Sequence, residues 1–383
     1  MKRRSAAYVI VLLPVAAALL LGEAYVRNLD DAGHFTPETL RERDGFPYRP
    51  AVYARYIFPT AAHEVTLWGN RLALSEKGYR GPDFSIPKPK GTVRIVIYGG
   101  SAAFDIGAPE GEDWPRQVET RLRDAGFENA EVVNAGVPGL ASADAVGRLL
   151  TEGWLLEPDV VLLYNTWNDI KHFAHPEPLL RQVRPWATDL DPRLYYQGRL
   201  DRALCETSQL YVRLRQLFWE WRLDVGLEGS RRSKDPLWEH HGITAHLRPN
   251  SHGFYDHQVA QFKLNVSAFV DLSRDIGALP VLVRQARLVR PDNNEEERRR
   301  IAYEYVSLDH DGLVAAYAAA DRVLEAVSRE KDVPLVDGVA AVPPDRLYLR
   351  DHVHLYVRGS TKLAAGVAER LLPLLEAREL ARR

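Results

Sequence analysis

The chain has 383 residues, enough to bury a full hydrophobic core, and its 27% charged and 46% hydrophobic residues are ordinary for a globular protein. A formal net charge of -2 gives no electrostatic reason for a nucleic-acid partner, so that class is set aside. The lone Cys205 excludes an intrachain disulfide framework and every Cys-rich metal site.

At the N-terminus Lys2, Arg3 and Arg4 precede an apolar run from Ala6 to Leu21, the pattern of an export signal. The run lies at the short end of the ~17 to 25 residues that span a bilayer and is slightly long for a cleaved segment. Gly22-Glu23-Ala24 is a poor small-x-small cleavage site. Residues 1–27 therefore read as a single uncleaved transmembrane helix in preference to a cleaved signal, with the basic end held inside and the remainder exported. Residues 28–91 carry Phe46, Tyr48, Tyr53, Tyr56 and Phe58 but no sustained period, and read as a membrane-proximal extension. The punctuation Ile86 to Gly91 opens the main domain, residues 92–383.

Strand and helix then alternate. Strands are expected over Val93 to Tyr98, Glu131 to Asn134, Val160 to Tyr164, Pro280 to Val283 and Val333 to Val336. Helices are expected over Trp114 to Ala125, Ala141 to Glu152, Gln261 to Ile276, Leu313 to Ser328 and Thr361 to Glu376. The nearly all-apolar third strand suits a position covered on both faces, and the alternation argues for a three-layer α/β/α sandwich on a central, mostly parallel sheet. From about 170 to 255 the alternation stops in favour of Trp, Arg, His and Pro, which reads as an inserted cap, partly helical around Tyr211 to Leu223. The run Glu295 to Arg300 reads as a solvated helix face. His240, His241, His246, His252 and His257 match no standard zinc spacing.

In an open α/β sheet, ligands gather at the carboxyl ends of the strands. Four polar clusters belong to that edge: Gly99-Gly100-Ser101, then Asn134 to Gly139, then Asn165 to Asp169, and Asp351-His352-Val353-His354 before the final helix. A serine hydroxyl is a poor nucleophile unless a base takes its proton. His354 can be that base for Ser101, with Asp351 holding the ring tautomer. Acyl transfer also needs donors for the developing oxyanion, and the N–H groups of Ser101 and Gly139 with the side-chain amide of Asn168 are the candidates. Asp351, His352 and His354 could instead hold a metal, although no further strong ligand is apparent nearby. No metal or cofactor is called for.

GGSAAFD resembles block I of the SGNH/GDSL hydrolases, NAGVPGLAS block II, NTWND block III, and DHVH the DxxH of block V, in the family's order. The resemblance covers about Thr92 to Asp169 and Gln261 to Leu372. It implies a flavodoxin-like SGNH hydrolase fold with Ser101 as nucleophile, Gly139 and Asn168 as oxyanion donors, and Asp351 and His354 completing the triad. The tether resembles that of many membrane-anchored bacterial members, which implies an inner-membrane protein with its catalytic domain on the periplasmic side. Block I here reads GGS where the family name implies GDS, and Thr166 stands where the GxND pattern usually has glycine. The function implied is a serine esterase acting on a short O-acyl group, such as acetyl, of a cell-envelope glycan, lipid or exported metabolite. Two alternatives stay open: an O-acyltransferase on the same triad, and an inactive glycan-binding protein whose Trp186, Trp219, Trp221 and Trp238 stack on sugars.

Overall fold

The computed structural model describes residues 2–29, 36, 64–67, 70–176, 196–228 and 251–378. Phe46, Tyr48, Tyr53, Tyr56, Phe58, Trp186, Trp238, His240, His241 and His246 lie outside the described residues. Two compact units are present, residues 1–45 with 185–236 and residues 46–184 with 237–383.

The first unit opens with α1 (Lys2–Arg27), helical across the whole expected export segment with Pro14 inside it. The expected membrane-spanning helix is not supported: among the described residues no helix is long and apolar enough to cross a membrane.

The second unit begins with an antiparallel pair, β1 (Glu64–Leu67) and β2 (Asn70–Ala73). It continues through β3 (Val93–Gly99), α2 (Trp114–Asp124), β4 (Ala130–Gly136), α3 (Ser142–Arg148), β5 (Val160–Tyr164) and α4 (Trp167–Phe173). The chain then returns to the first unit for α5 (Arg199–Thr207) and α6 (Gln209–Glu228). Back in the second unit come α7 (Asp256–Asp275), β6 (Leu279–Arg284), α8 (His310–Glu330), β7 (Leu335–Asp337) and α9 (Val357–Ala377).

Strands β3 to β7 form one sheet in the order β4-β3-β5-β6-β7, and every pairing in it is parallel. Alternate side chains divide two cores. Val93, Ile95 and Ile97 of β3 pack with α2 and α9, whereas Val96 and Tyr98 pack with α3, α7 and α8. The expected three-layer sandwich follows from that division, since each strand is covered on both faces. A fully buried Ile or Val contributes about 1.5 to 3 kcal/mol, so the sheet's apolar residues dominate its stability.

Polar residues tie the segment before β3 to the sheet. Arg94, fully buried in an apolar strand, donates to Ser85 O and Leu156 O and pairs with Glu131. Arg80 is also buried, and its guanidinium donates to the carbonyls of Phe104, Asp105, Ala108 and Pro109. A buried guanidinium without such acceptors would cost several kcal/mol.

Several helix boundaries differ from the sequence reading: α8 starts at His310 and α9 at Val357, ahead of the expected Leu313 and Thr361. The helix expected over Ala141 to Glu152 is α3 followed by a wider turn, Leu149–Gly153, and a last turn, Trp154–Leu156. Helix α7 starts at Asp256, ahead of the expected Gln261. Val259, one turn before Phe262, already packs against the core, and polar Gln258 secures the first turn by donating to His175 O.

Candidate active site

Strand β3 lies between β4 and β5, so the chain leaves β3 in one direction and returns on its other side. Such a reversal opens a crevice at the carboxyl ends of the strands. Ser101 sits there, starting a single helical turn, Ser101–Phe104, directly after β3. Two glycines make the tight exit possible. A Cβ on Gly99 would lie 2.1 Å from Tyr164 O, and one on Gly100 would lie 2.2 Å from Asn168 Nδ2. Downstream, the buried Asp105 carboxylate accepts from Trp114 N and Ser360 Oγ and so pins the end of this turn. Burial pushes its pKa up to about 6 against the pull of Arg80.

The structure brings the three residues of the expected triad together. Ser101 Oγ is 2.7 Å from His354 Nε2, and His354 Nδ1 is 2.7 Å from Asp351 Oδ2. The other carboxylate oxygen of Asp351 accepts from the backbone N–H groups of Val353 and His354. Burial alone would raise the Asp351 pKa, but His354, His352 and these hydrogen bonds together hold it well below the usual carboxylate range. An ionised carboxylate can only accept, so Nδ1 of His354 carries the proton and Nε2 offers its lone pair to the serine hydroxyl.

The loop that carries the pair is itself clamped. Arg350 N donates to His354 O, Tyr356 N donates to Tyr348 O, and Leu288 N, just past β6, donates to His352 O. From outside the loop, Arg300 donates to both Leu349 O and Arg350 O. The Glu295 to Arg300 run is mostly exposed, as expected of a solvated face, but Arg300 leaves that face to hold the loop.

The second and third clusters meet above Gly100. Leu140 O, which follows Gly139, accepts from Asn165 Nδ2 and from Asn168 Nδ2, both at 2.9 Å. Gly139 has φ +81, a conformation that favours glycine. Asn168 Nδ2 bears two hydrogens; Leu140 O takes one, which leaves the other for an incoming oxygen.

Several further residues shape this site, and Tyr305, Lys171 and Gln285 among them carried no sequence signal. Tyr305 OH donates to Asn168 Oδ1 at 3.0 Å, and Lys171 Nζ donates to Gly139 O at 2.9 Å. Gln285, after β6, accepts from Trp167 N at 2.7 Å. Asp169, the last residue of the third cluster, accepts from Ser142 N and Oγ at the start of α3. Burial pushes its carboxyl up to about 7, although the Ser142 donors and Lys171 pull it down.

His352 packs among the aromatic side chains behind the site. Its ring is buried against Trp167, with centroids 4.0 Å apart, and Trp167 stacks in turn on Tyr305. Burial draws its pKa down to about 4, so it is neutral at pH 7. Among the described residues no group of three or more His, Cys, Asp or Glu is arranged to hold a metal ion. Trp219 and Trp221 lie in α6 of the first unit, His252 and His257 lie near the start of α7, and Cys205 is buried in α5.

No family model matches the chain, and no curated protein matches it. Solved structures do. TesA is 17% identical, with 74% of this chain and 99% of that one covered and a TM-score of 0.40. A lipolytic G-D-S-L family protein from Veillonella parvula is 13% identical over 73% and 97% of the two chains, with a TM-score of 0.39. The acetyl xylan esterase AlAXEase is 12% identical over 73% and 100%, with a TM-score of 0.41. These likenesses are distant, and the chemistry of the site stands on its own geometry.

Proposed function

We propose that the chain is a serine esterase that cleaves a short O-acyl ester through an acyl-enzyme. The observation that carries this reading is the continuous relay from Ser101 Oγ through the His354 ring to the Asp351 carboxylate, at 2.7 Å for each step. In this reading Ser101 Oγ attacks the ester carbonyl carbon while its proton passes to His354 Nε2. The carbonyl oxygen becomes an oxyanion facing the N–H groups of Ser101 and Gly139 and the amide of Asn168. Each such donor is worth about 3 to 4 kcal/mol in the transition state. As the tetrahedral intermediate collapses, the C–O bond to the alcohol breaks and the leaving oxygen takes the proton from His354. Water then repeats the sequence on the acyl-enzyme, which releases the acid and restores Ser101.

The acyl group in this reading is small, such as acetyl. The natural ester in this reading sits on a cell-envelope glycan, lipid or exported metabolite. The protein would be exported and held at the membrane by its N-terminal segment, with the second unit on the extracytoplasmic side. Support for that location is the order of Lys2, Arg3 and Arg4 before the apolar run to Leu21. Fractionation of cells and protease treatment of intact spheroplasts tests it, and a soluble or protected catalytic unit would refute it.

Labelling by a serine-directed fluorophosphonate and turnover of p-nitrophenyl acetate test the chemistry. Wild type is expected to label and turn over, with acetate preferred to long-chain esters. Ser101→Ala is expected to remain folded and do neither. Equal turnover in the two proteins would remove Ser101 as nucleophile, and a folded wild type that never labels would favour a binding protein.

A further inference from the structure

The first unit is built inside out. In α6 the face turned inward bears Val212, Arg215 and Gln216, all buried. Arg215 is held there by a two-point ion pair with Asp201 of α5, Nε to Oδ1 at 2.9 Å and a terminal nitrogen to Oδ2 at 3.1 Å. Tyr211 OH also donates to Asp201. The outward face bears Leu214, Leu217, Phe218 and Trp221, spaced i, i+3, i+4, i+7, with Leu217 59% and Trp221 62% exposed. A water-facing helix places these residue types the other way round.

Helix α6 is fixed to α1. The Glu23 carboxylate of α1 accepts from Gln209 N and Leu210 N at the start of α6 and from Ser208 Oγ, while Arg27 donates to Thr207 O. The four side chains on the outward face of α6 therefore belong to the same rigid pair as the apolar segment of α1. In that segment every residue from Leu13 to Leu21 is exposed, with Leu20 at 71% and Leu21 at 72%. A protein partner covers one face of a helix. Nine consecutive apolar residues turned outward on all sides call for a surrounding medium, and the basic residues that precede them suit anionic headgroups.

We propose that α1 and α6 together form a lipid-seated element, with the Leu214, Leu217, Phe218 and Trp221 face of α6 lying in the bilayer's interfacial layer as a second contact. Such seating needs no helix that crosses the membrane, since an apolar face buried at the headgroup boundary suffices. Trp221 suits that depth because an indole has an apolar body and one polar N–H. The proposal rests on the membrane-held reading given above, and the test separates the two.

The full chain in a Cys205→Ser background, reconstituted in vesicles of phosphatidylcholine and phosphatidylglycerol, carries an environment-sensitive dye at Leu217→Cys or, in a second protein, at Leu20→Cys. Circular dichroism establishes that both are folded. Both dyes are expected to shift to the blue and to lose fluorescence when the lipids bear nitroxide quenchers. Quenching at position 20 without quenching at 217 overturns the second contact and leaves the tether. A lipid-independent blue shift at 217 also overturns it, because protein then covers the face. Absence of quenching at both positions removes the tether as well.

Discussion

The phenol of Tyr305 donates to Asn168 Oδ1 across 3.0 Å, and so fixes which end of that amide faces Gly100 and Ser101. Leu140 O, which accepts from Asn168 Nδ2, holds the same orientation from the other end, so loss of the phenol loosens the amide without releasing it. Tyr305→Phe removes this one hydrogen bond while keeping the ring stacked on Trp167. The expected loss is about 1 to 1.5 kcal/mol, a fall in kcat of about 5- to 15-fold. KM should be unchanged, because the phenol touches Asn168 and not the ester. A rise in KM with kcat preserved would show instead that Tyr305 contacts substrate.

Lys171 performs the matching task for the other donor by holding Gly139 O at 2.9 Å. A charge-assisted hydrogen bond of this kind is worth about 1.5 to 3 kcal/mol, so Lys171→Met should lower kcat by about 10- to 100-fold. The serine itself is untouched, and slow fluorophosphonate labelling should persist. Complete loss of labelling in a folded variant would mean that Lys171 acts on the nucleophile and not on the loop.

Much of this site was legible in the chain. Parallel strands covered on both faces must be apolar along their length, so Val93 to Tyr98 and Val160 to Tyr164 stood out, and the polar clusters just past them marked the sheet edge. The cap was read less well: α5 and α6 of the insert fold with α1 in one compact unit, and nothing in the local period of residues 199–228 announces a partner at the start of the chain. Tyr305, Lys171 and Arg300 were missed for a similar reason. Each acts through side-chain contacts to residues distant in sequence, and such contacts leave no spacing to recognise.

The two glycines before Ser101 should separate folding from chemistry. At Gly99 the obstructing atom is the backbone oxygen of Tyr164 in the neighbouring strand, which cannot move without breaking the sheet. Gly99→Ala is expected to yield little folded protein. At Gly100 the nearest obstruction is the Asn168 side chain. Gly100→Ala should fold with a lower melting temperature and lose most turnover as the amide is displaced. Full activity in a folded Gly100→Ala protein would remove Asn168 from the oxyanion site.

Asp351→Asn keeps the shape of the relay but replaces an acceptor-only carboxylate by a group that can donate to His354 Nδ1. The ring can then settle in the tautomer that turns an N–H, not a lone pair, toward Ser101. A fall in kcat of about 10³- to 10⁴-fold is expected at neutral pH, measured with p-nitrophenyl acetate. A loss below tenfold would show that His354 does not depend on Asp351 for its tautomer.

Asp351 and Asp169 should shift stability with pH in opposite senses. The Asp351 carboxyl is held below its ordinary range, so its contribution is present above about pH 4, the unfolded value, and is lost as pH falls through its folded pKa. The Asp169 carboxyl is raised from 3.8 to about 7, so the folded state holds a proton that the unfolded state releases. Folding is therefore weakened progressively as pH rises from about 4 to about 7, by at most about 4 kcal/mol at ~1.4 kcal/mol per pH unit. Asp169→Asn, which cannot ionise but can still accept from Ser142, should remove this decline. Urea denaturation of wild type and variant across pH 4.5 to 8 should show a difference that grows in the variant's favour up to about pH 7 and then levels. A difference that stays constant across that range would mean that Asp169 ionises at an ordinary carboxylate pKa and that Lys171 and the Ser142 donors outweigh its burial.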